Sequence, residues 1–433
     1  MREVFAAVDV GVERGRVVVG RLDDAGVSLH EVHRFTNPTA RVDGTLRWNV
    51  QRLFGEVLAG LGMAARAHPG LASLAIDAWG MDFGLLDARG KLLGDPYHHC
   101  DLRTDGVAAR LHARVSAAEL WAATGASSTP HDTLQQLCAM LWRRSSTLLR
   151  AARLLLIPDL LGAWLCGVEA AEHTIASTTR CYDPATRAWI VPLLARARIP
   201  AHLFPPVLPP ATVLGPVSAA RARRAGLGGV QVVAAAGHEA AAAVAVVPQE
   251  PASLVCVAGP SPVVGTVTAA PVRSEAAWRL GLTNAAGADG AVWLHRAASG
   301  PGPSQGDGLA PECRRALGEL EELLGRRLEA VRILGEGARD AHLCQRIADA
   351  CGRPVLAGPV EAAPLGNVLA QAVALGACAS WTEARARASR SFPPVRYGPT
   401  DVAASAADED AHPPDERGAR MVPVFQATLP ASG

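Results

Sequence analysis

The sequence has few of the features that mark secreted, membrane-bound or nucleic-acid-binding proteins. Its formal net charge is only +1, from 42 Lys and Arg against 41 Asp and Glu, so no long-range field draws it to nucleic acid or to an anionic membrane. Its nine cysteines include no Cys-x-x-Cys pair, which argues against a disulfide framework or a zinc site. No apolar run approaches the length of a membrane span. We therefore expect a cytoplasmic protein, a monomer or homodimer, with neither nucleic acid nor a membrane as a partner.

The pattern of elements repeats along the chain. A length of 433 residues suits two domains of ordinary size, and each half begins with two β-like runs around a glycine-containing turn, at residues 4–20 and 253–267. Strand and helix units follow in both halves, which predicts duplicated α/β domains that face each other across a cleft. We expect these domains at residues 1–247 and 252–388, followed by an irregular tail at 389–433.

Helix-favouring runs fill most of the remaining sequence. Residues 107–200 are predicted to be mostly helical, and residues 172–179 form a polar strip that could line a cleft with hydroxyl groups. Residues 299–308, which consist mainly of Gly, Pro and Ser, predict a flexible loop. The helical runs are 48–67, 134–142, 154–165, 313–328, 340–351 and 364–377.

A polar corner within residues 232–247 is the strongest catalytic candidate. Small and β-branched residues predict a buried strand, Gly237-His238-Glu239 forms a corner, and the alanine-rich residues after it favour a helix. Glu239 would then lie at a helix N-terminus, at the carboxyl edge of a sheet where open α/β proteins bind ligands. On this stretch alone, the favoured interpretation is that Glu239 only caps the helix; the rest of the chain shifts the balance towards a catalytic role.

Carboxylates also end two other predicted strands. Asp9 and Gly11 end the first strand, where a hairpin can present N–H groups to a phosphate while the carboxylate holds magnesium. Taken alone the motif is weak, and it favours an ordinary turn. Asp77 ends a later strand and is followed by Trp79 and Asp82, an apolar face and an acceptor that suit a sugar. The alternative is a core tryptophan and a turn aspartate.

Four segments taken together resemble the FGGY family of carbohydrate kinases and, within it, the rhamnulokinases. They are residues 76–90, 101–106, 156–159 and 356–367, and the similarity extends over residues 4–380. The resemblance implies two actin-like (ribonuclease H-like) domains. It also implies a kinase that uses ATP and Mg²⁺ to phosphorylate the 1-hydroxyl of L-rhamnulose or a similar ketose.

The resemblance assigns roles to individual positions. Glu239 falls on the catalytic base, which takes the proton from the sugar hydroxyl. Gly80, Asp82 and His238 fall on the sugar side, where Trp79 is a further candidate for substrate binding. The candidates for nucleotide binding, with Asp9 also for the metal, are Asp9, Gly11, Val12, Glu13, Arg14, Gly15, Arg16, Gly259, Pro260, Gly335, Glu336 and Gly337.

The sequence departs from the family pattern at the base and on the nucleotide side. The family's base is an aspartate, and the extra methylene of Glu239 moves the carboxylate by about 1 Å. Pro260 and Pro262 remove N–H donors from the second phosphate loop, and Glu336 separates two glycines where close approach is expected. Three interpretations stay open: an active kinase, a non-catalytic sugar-binding or regulatory relative, and a different actin-like ATPase, against which residues 79–82 argue. The adjacent His98, His99 and Cys100 are not expected to share a metal, since neighbours in one loop seldom converge on one ion.

Overall fold

The computed structural model describes residues 3–249, 252–298 and 308–400 of the chain. Its strands are β1 (Glu3–Val10), β2 (Arg14–Asp23), β3 (Gly26–Thr36), β4 (Thr39–Val42), β5 (Thr45–Trp48), β6 (Leu71–Ala78), β7 (Phe83–Leu86), β8 (Arg153–Leu156), β9 (Ala171–Glu172), β10 (Tyr182–Asp183), β11 (Ala188–Trp189), β12 (Val207–Leu208), β13 (Thr212–Pro216), β14 (Gln231–Ala234), β15 (Ser253–Val257), β16 (Val263–Thr268), β17 (Thr283–Ala286), β18 (Val292–Ala297), β19 (Ala330–Leu334), β20 (Val355–Ala357) and β21 (Val395–Tyr397). Its α-helices are α1 (Val50–Ala67), α2 (Val107–His112), α3 (Ala117–Thr124), α4 (Thr133–Trp142), α5 (Ser146–Arg150), α6 (Ile157–Cys166), α7 (His173–Ala176), α8 (Val191–Ala197), α9 (Ala219–Ala225), α10 (Glu239–Ala245), α11 (Glu275–Arg279), α12 (Leu309–Leu324), α13 (Ala341–Cys351), α14 (Ala362–Ala374) and α15 (Trp381–Ser391).

Two mixed β-sheets with related topology carry the fold. The first has the strand order β13-β14-β6-β1-β2-β3 and the second the order β17-β18-β16-β15-β19-β20-β21. In each sheet an antiparallel hairpin, β1 with β2 or β15 with β16, lies beside two parallel strands. The parallel strands are β6 and β14 in the first sheet and β19 and β20 in the second. The predicted duplication of an α/β unit is therefore confirmed.

The first sheet is buried on both faces, which explains why β1 is almost continuously apolar. On one face Val8 packs with Leu53 and Leu61 of α1, and on the other Phe5 packs with Val368 of α14. Helix α1 begins after the N-cap Asn49 and buries residues at i, i+3 and i+4 spacing, as predicted. Each such buried side chain stabilises the fold by about 1.5–3 kcal/mol.

Helices α10 and α14 cross with almost no space between their backbones. A Cβ atom placed on Gly366 of α14 would lie 1.8 Å from the carbonyl oxygen of Ala242 in α10. The alanines of α10 are buried at this crossing, so the small residues that gave the sequence its strong helix propensity also allow the close packing. Among the residues that the structure describes, none of the helices combines the length and apolar character that crossing a bilayer requires.

Two predicted segments differ from the structure. Residues 154–156 belong to β8, which pairs with β7, and the helix begins only at Ile157 with Pro158 in its first turn. Proline is favoured there because backbone N–H groups of the first turn have no acceptor within the helix, so a residue that lacks an N–H loses no hydrogen bond. The predicted irregular tail is wrong for residues 389–397, since α15 extends to Ser391 and β21 pairs with β20. Residues 299–307 of the predicted loop and 401–433 of the tail lie outside the described residues.

Candidate active site

Three carboxylates meet at one edge of the first sheet because of strand register. Asp9 on β1 is paired directly with Asp77 on the parallel strand β6. One residue further, Ala78 forms an isolated parallel bridge with His238, which follows β14. Glu239 is the first residue of α10 and His238 is its N-cap, so the predicted strand, corner and helix are confirmed. Because the carboxyl ends of parallel strands share an edge, Asp9, Asp77 and Glu239 lie in one region.

The Glu239 carboxylate lies near Asp9 and Arg16. Its side chain is exposed to solvent, yet burial by the surrounding protein and the charge of Asp9 raise its pKa to about 7, while Arg16 opposes the shift. Among the described residues, no hydrogen-bond donor contacts this carboxylate. Glu239 is therefore accessible and able to gain or lose a proton near neutral pH.

Asp77 is the most buried member of the cluster and was not predicted as a site residue. Its Oδ1 accepts a 2.6 Å hydrogen bond from Asn367 Nδ2, whereas its Oδ2 is buried without a partner. Burial, followed by the charge of Asp9, raises the pKa of Asp77 well above its usual range. Carboxylate oxygens are the ligands that Mg²⁺ prefers, and an unpaired buried oxygen beside Asp9 and Glu239 fits such a cation.

Arg16 connects the first hairpin to the second half of the chain. Its Nε donates to Asp9 Oδ2 at 2.9 Å, and its guanidinium also contacts the carboxylate of Glu361, the N-cap of α14. Burial lowers the pKa of Arg16, but the charges of Asp9 and Glu361 outweigh burial and raise it overall. Arg339 approaches the other Glu361 oxygen at 3.4 Å. These ion pairs, through Arg16 and Glu361, thus connect the β1–β2 hairpin to the glycine turn after β19.

The predicted first phosphate loop is an exposed turn between β1 and β2. The N–H of Gly11 donates to the carbonyl of Arg14 at 2.8 Å, and Val12 and Glu13 are exposed. Gly15 faces inward, where a Cβ would lie 2.2 Å from the ring of Phe35. Contact of these residues with a nucleotide stays a prediction.

The other two nucleotide-side segments lie next to each other. Gly259 and Pro260 connect β15 to β16, and Pro260 is exposed. The N–H of Gly337 donates to the carbonyl of Ala258 at 3.0 Å, and a Cβ at Gly337 would lie 2.4 Å from the Ala258 side chain. Gly335 has a φ of +82°, which favours glycine. The side chain of Glu336 between them is exposed, so it points to solvent rather than into this contact.

Asp82 organises the predicted sugar side through its hydrogen bonds. It is fully buried, and its Oδ2 accepts from Trp48 Nε1 at 2.6 Å, Trp79 Nε1 at 3.0 Å and His99 Nδ1 at 2.8 Å. Its Oδ1 accepts from Gln136 Nε2 at 3.0 Å. Burial opposes ionisation, but the hydrogen bond from His99 and the other donors lower the pKa of Asp82. Asp82 therefore holds the side chains around the predicted pocket in place.

His99 carries the positive charge that balances Asp82. Burial lowers its pKa, but hydrogen bonds and charges of Asp82 and Cys100 together outweigh burial, and the pKa rises to about 10. The donor atoms of His98, His99 and Cys100 lie within 4.8 Å of one another. His98 Nδ1 accepts from the N–H of Cys100 at 2.9 Å, so one nitrogen in each ring already has a protein partner. Hydrogen bonds from His98 and His99 lower the pKa of Cys100 to about 6.

Thr178 packs against the turn at Gly80 and forms a hydrogen bond with it. A Cβ on Gly80 would lie 2.8 Å from Thr178 Cβ, and Thr178 Oγ1 accepts from the N–H of Met81 at 3.1 Å. Met81 has a φ of +76°, which is strained for a residue with a side chain. Trp79 is only 5% exposed, with its ring 4.3 Å from that of Trp48. A direct sugar contact by Trp79 therefore stays a prediction.

The sequence interpretation missed residues that act through tertiary contacts. Glu361 and Asn367 lay within the segment 356–367 that carried the resemblance, and their polar character was the available signal. Thr178 lay within the polar strip at 172–179. Trp48, which is distant in sequence from Asp82, gave no such signal.

Comparison with known proteins identifies the family. The sequence matches the FGGY family of carbohydrate kinases in both halves, its N-terminal domain over residues 4–245 and its C-terminal domain over residues 304–375. A rhamnulokinase from Bacteroides thetaiotaomicron is 29% identical, covering 93% of this chain and 97% of the relative. A rhamnulokinase from Yersinia pestis is 30% identical, covering 92% of this chain and 95% of the relative.

Solved structures of sugar kinases share the fold. A xylulose kinase from Rhodospirillum rubrum superposes with a TM-score of 0.78 at 17% identity, covering 93% of this chain and 95% of its own. A gluconate kinase from Lactobacillus acidophilus gives a TM-score of 0.78 at 12% identity, covering 92% and 94%. The predicted fold class, two actin-like α/β domains, is confirmed, while the predicted domain boundaries stay a prediction.

Proposed function

The chain belongs to the FGGY family of carbohydrate kinases, and we propose that it transfers the γ-phosphate of ATP to the 1-hydroxyl of L-rhamnulose or a similar ketose. The observation that carries the proposal is the accessible carboxylate of Glu239, whose pKa is raised to about 7 by burial and the charge of Asp9. A general base is most effective when its pKa lies near the working pH. The similarity to rhamnulokinases over more than nine-tenths of the chain supports the choice of sugar.

In this mechanism Glu239 accepts the proton of the reacting hydroxyl as the oxygen attacks the phosphorus. Transfer of a phosphoryl group depends mainly on in-line placement and on neutralisation of charge. Asp82 is unsuited to the role of base, because it is fully buried and both oxygens already accept hydrogen bonds. It instead fixes Trp79 and His99 and so shapes the sugar side.

The acidic cluster suits a magnesium ion that accompanies ATP. Asp9 and Asp77 would hold the ion, and the unpaired buried Oδ2 of Asp77 supports this assignment. When bound, Mg²⁺ would supply positive charge against the phosphate oxygens. Arg16, held between Asp9 and Glu361, would keep the hairpin in position beside it.

An ADP-release assay with L-rhamnulose and other ketoses tests the proposal. We expect wild-type turnover that depends on Mg²⁺ and a loss of about 10²- to 10⁴-fold in kcat for Glu239→Gln. Glu322→Gln, an exposed glutamate on the surface of α12, is the matched control and is expected to retain full activity. Absence of ADP with every ketose tested would refute the kinase proposal, as would full activity of Glu239→Gln.

A non-catalytic sugar-binding or regulatory relative is the second candidate. It is favoured by Pro260 and Pro262, which offer no N–H groups to a phosphate between β15 and β16. Calorimetry separates the two functions, because this candidate predicts heat on adding a ketose and none on adding ATP with Mg²⁺. A cytoplasmic location, and a monomeric or homodimeric state, stay predictions for either function.

A further inference from the structure

The corner that carries Glu239 is held by residues outside its own helix. Oε2 of Glu172 accepts the N–H of Gly237 at 2.8 Å, and Oγ1 of Thr174 accepts the N–H of His238 at 3.1 Å. The Thr174 hydroxyl in turn donates to Glu172 Oε2 at 2.6 Å. Since that hydroxyl has a single proton, its bond to Glu172 leaves a lone pair for His238.

Glu172 is an unusual residue to find buried at this place. It is 3% exposed, and burial raises its pKa to about 7 although several donors oppose the shift. Besides the bond from Gly237, it accepts from the N–H groups of Thr174 at 2.9 Å and Ile175 at 3.1 Å. Burying a carboxylate is costly unless its oxygens are satisfied. A cap on the short helix α7 accounts for only part of this arrangement, because one donor comes from the catalytic corner 65 residues away.

The side chain of Glu239 depends on this support. Within the described part of the chain, no donor fixes its carboxylate, so its position follows from the backbone of the two residues before it. The fit is close, since a Cβ on Gly237 would lie 3.0 Å from Glu172 Oε2. We propose that Glu172 and Thr174 are positioning residues that fix the Gly237–His238 backbone and thereby direct the Glu239 carboxylate at the sugar hydroxyl. The proposal rests on the proposed kinase function.

Paired substitutions at Thr174 test it. Thr174→Val keeps the shape but removes both hydroxyl bonds, whereas Thr174→Ser keeps the hydroxyl. A displacement of about 1 Å can lower the rate by about 100-fold, so we expect kcat to fall about 10- to 100-fold in Thr174→Val, with KM for the ketose nearly unchanged. Thr174→Ser is expected to stay within about threefold of wild type. Glu172→Gln, which places an amide among donors, should behave like Thr174→Val.

The control is Thr124→Val, which removes another buried hydroxyl, one that bonds to Leu120 in α3. It should leave kcat unchanged while costing similar stability. Wild-type kcat in Thr174→Val, or equal losses of kcat in Thr174→Val and Thr174→Ser, would overturn the proposal. So would a fall in kcat of the same size in Thr124→Val.

Amide hydrogen exchange gives a readout that needs no turnover. Loss of its acceptor should raise exchange at the His238 amide by about tenfold or more in Thr174→Val, but not in Thr174→Ser or Thr124→Val. If the wild type releases no ADP with any ketose, the kinase proposal fails while the exchange data still decide whether the corner is held as described. Unchanged exchange at the His238 amide in Thr174→Val would overturn the positioning role.

Discussion

The ion pair between Asp82 and His99 should make stability depend on pH in a defined direction. The pKa of His99 is about 10 in the fold, against 6.5 for an unperturbed histidine. The pair therefore stabilises the folded protein fully below pH 6.5, and its contribution is lost as the pH rises towards 10. At about 1.4 kcal/mol for each pKa unit, a contribution on the order of 2 kcal/mol should be lost between pH 7 and pH 9.

The neighbouring thiol must be removed to see this effect. The pKa of Cys100 is lowered from 9.0 to about 6, so its contribution to stability grows over the same pH range and offsets that of His99. We therefore compare Cys100→Ser with Cys100→Ser/Asp82→Asn. Because Cys100 itself contributes to the raised pKa of His99, urea unfolding at pH 7 and pH 9 should show a smaller loss of the same sign in the first protein and a much flatter response in the second.

Substitution of Asp82 should also lower stability at pH 7 itself. Breaking a buried pair by removing one partner costs about 3–5 kcal/mol, and the asparagine in Asp82→Asn would offer only one acceptor oxygen to donors that now approach both oxygens of Asp82. Cys100→Ser/His99→Gln, which removes the titrating ring and keeps Asp82, should also flatten the response. Equal pH responses in the proteins with and without Asp82 would show that the pair does not set the charge of His99.

Two further changes test the catalytic and sugar sides. Because only the ionised Glu239 accepts a proton, kcat/KM should fall about tenfold for each pH unit below 7. Arg16 lowers the pKa of Glu239, so Arg16→Met should move this decline to higher pH; a shift to lower pH would contradict the assignment of the base. Gly80→Ala should raise KM for the ketose about tenfold, because its Cβ would lie 2.8 Å from Thr178 and shift the turn. Gly162→Ala, whose Cβ meets nothing within 4 Å, is the control, and equal KM values for the two variants would contradict this role of the turn.

Local pattern was sufficient to predict the corner at Glu239. A short β-branched run, a glycine and then alanines specify strand, turn and helix within a few residues, and the structure has these elements in that order. The glycine-turn hairpins were predictable for the same reason. By contrast, the apolar run at 154–165 contains a strand and a helix, because the periodicity of a short apolar run does not distinguish the two.

The contacts that complete the site join residues too distant for sequence pattern to pair. Asn367 reaches Asp77 across 290 positions, and Trp48 reaches Asp82 across 34. Such pairs form only when whole elements pack, so spacing along the chain contains no signal for them. The resemblance to a family located several of these residues but did not state which partner each one has.

The crossing of α10 and α14 at Gly366 lies within one helical turn of the acidic cluster, since Ala242 follows Glu239 by three residues and Asn367, which bonds to Asp77, follows Gly366 directly. Helix α10 begins with the proposed base Glu239, and α14 begins after its N-cap Glu361, which forms an ion pair with Arg16. A change in the angle between the two helices would therefore move Glu239 and Glu361 relative to each other. A methyl group at position 366 would collide with the backbone carbonyl of Ala242, so the two helices would have to move apart. The spacing of Glu239, Asp77 and Glu361 thus depends on the absence of a side chain at position 366.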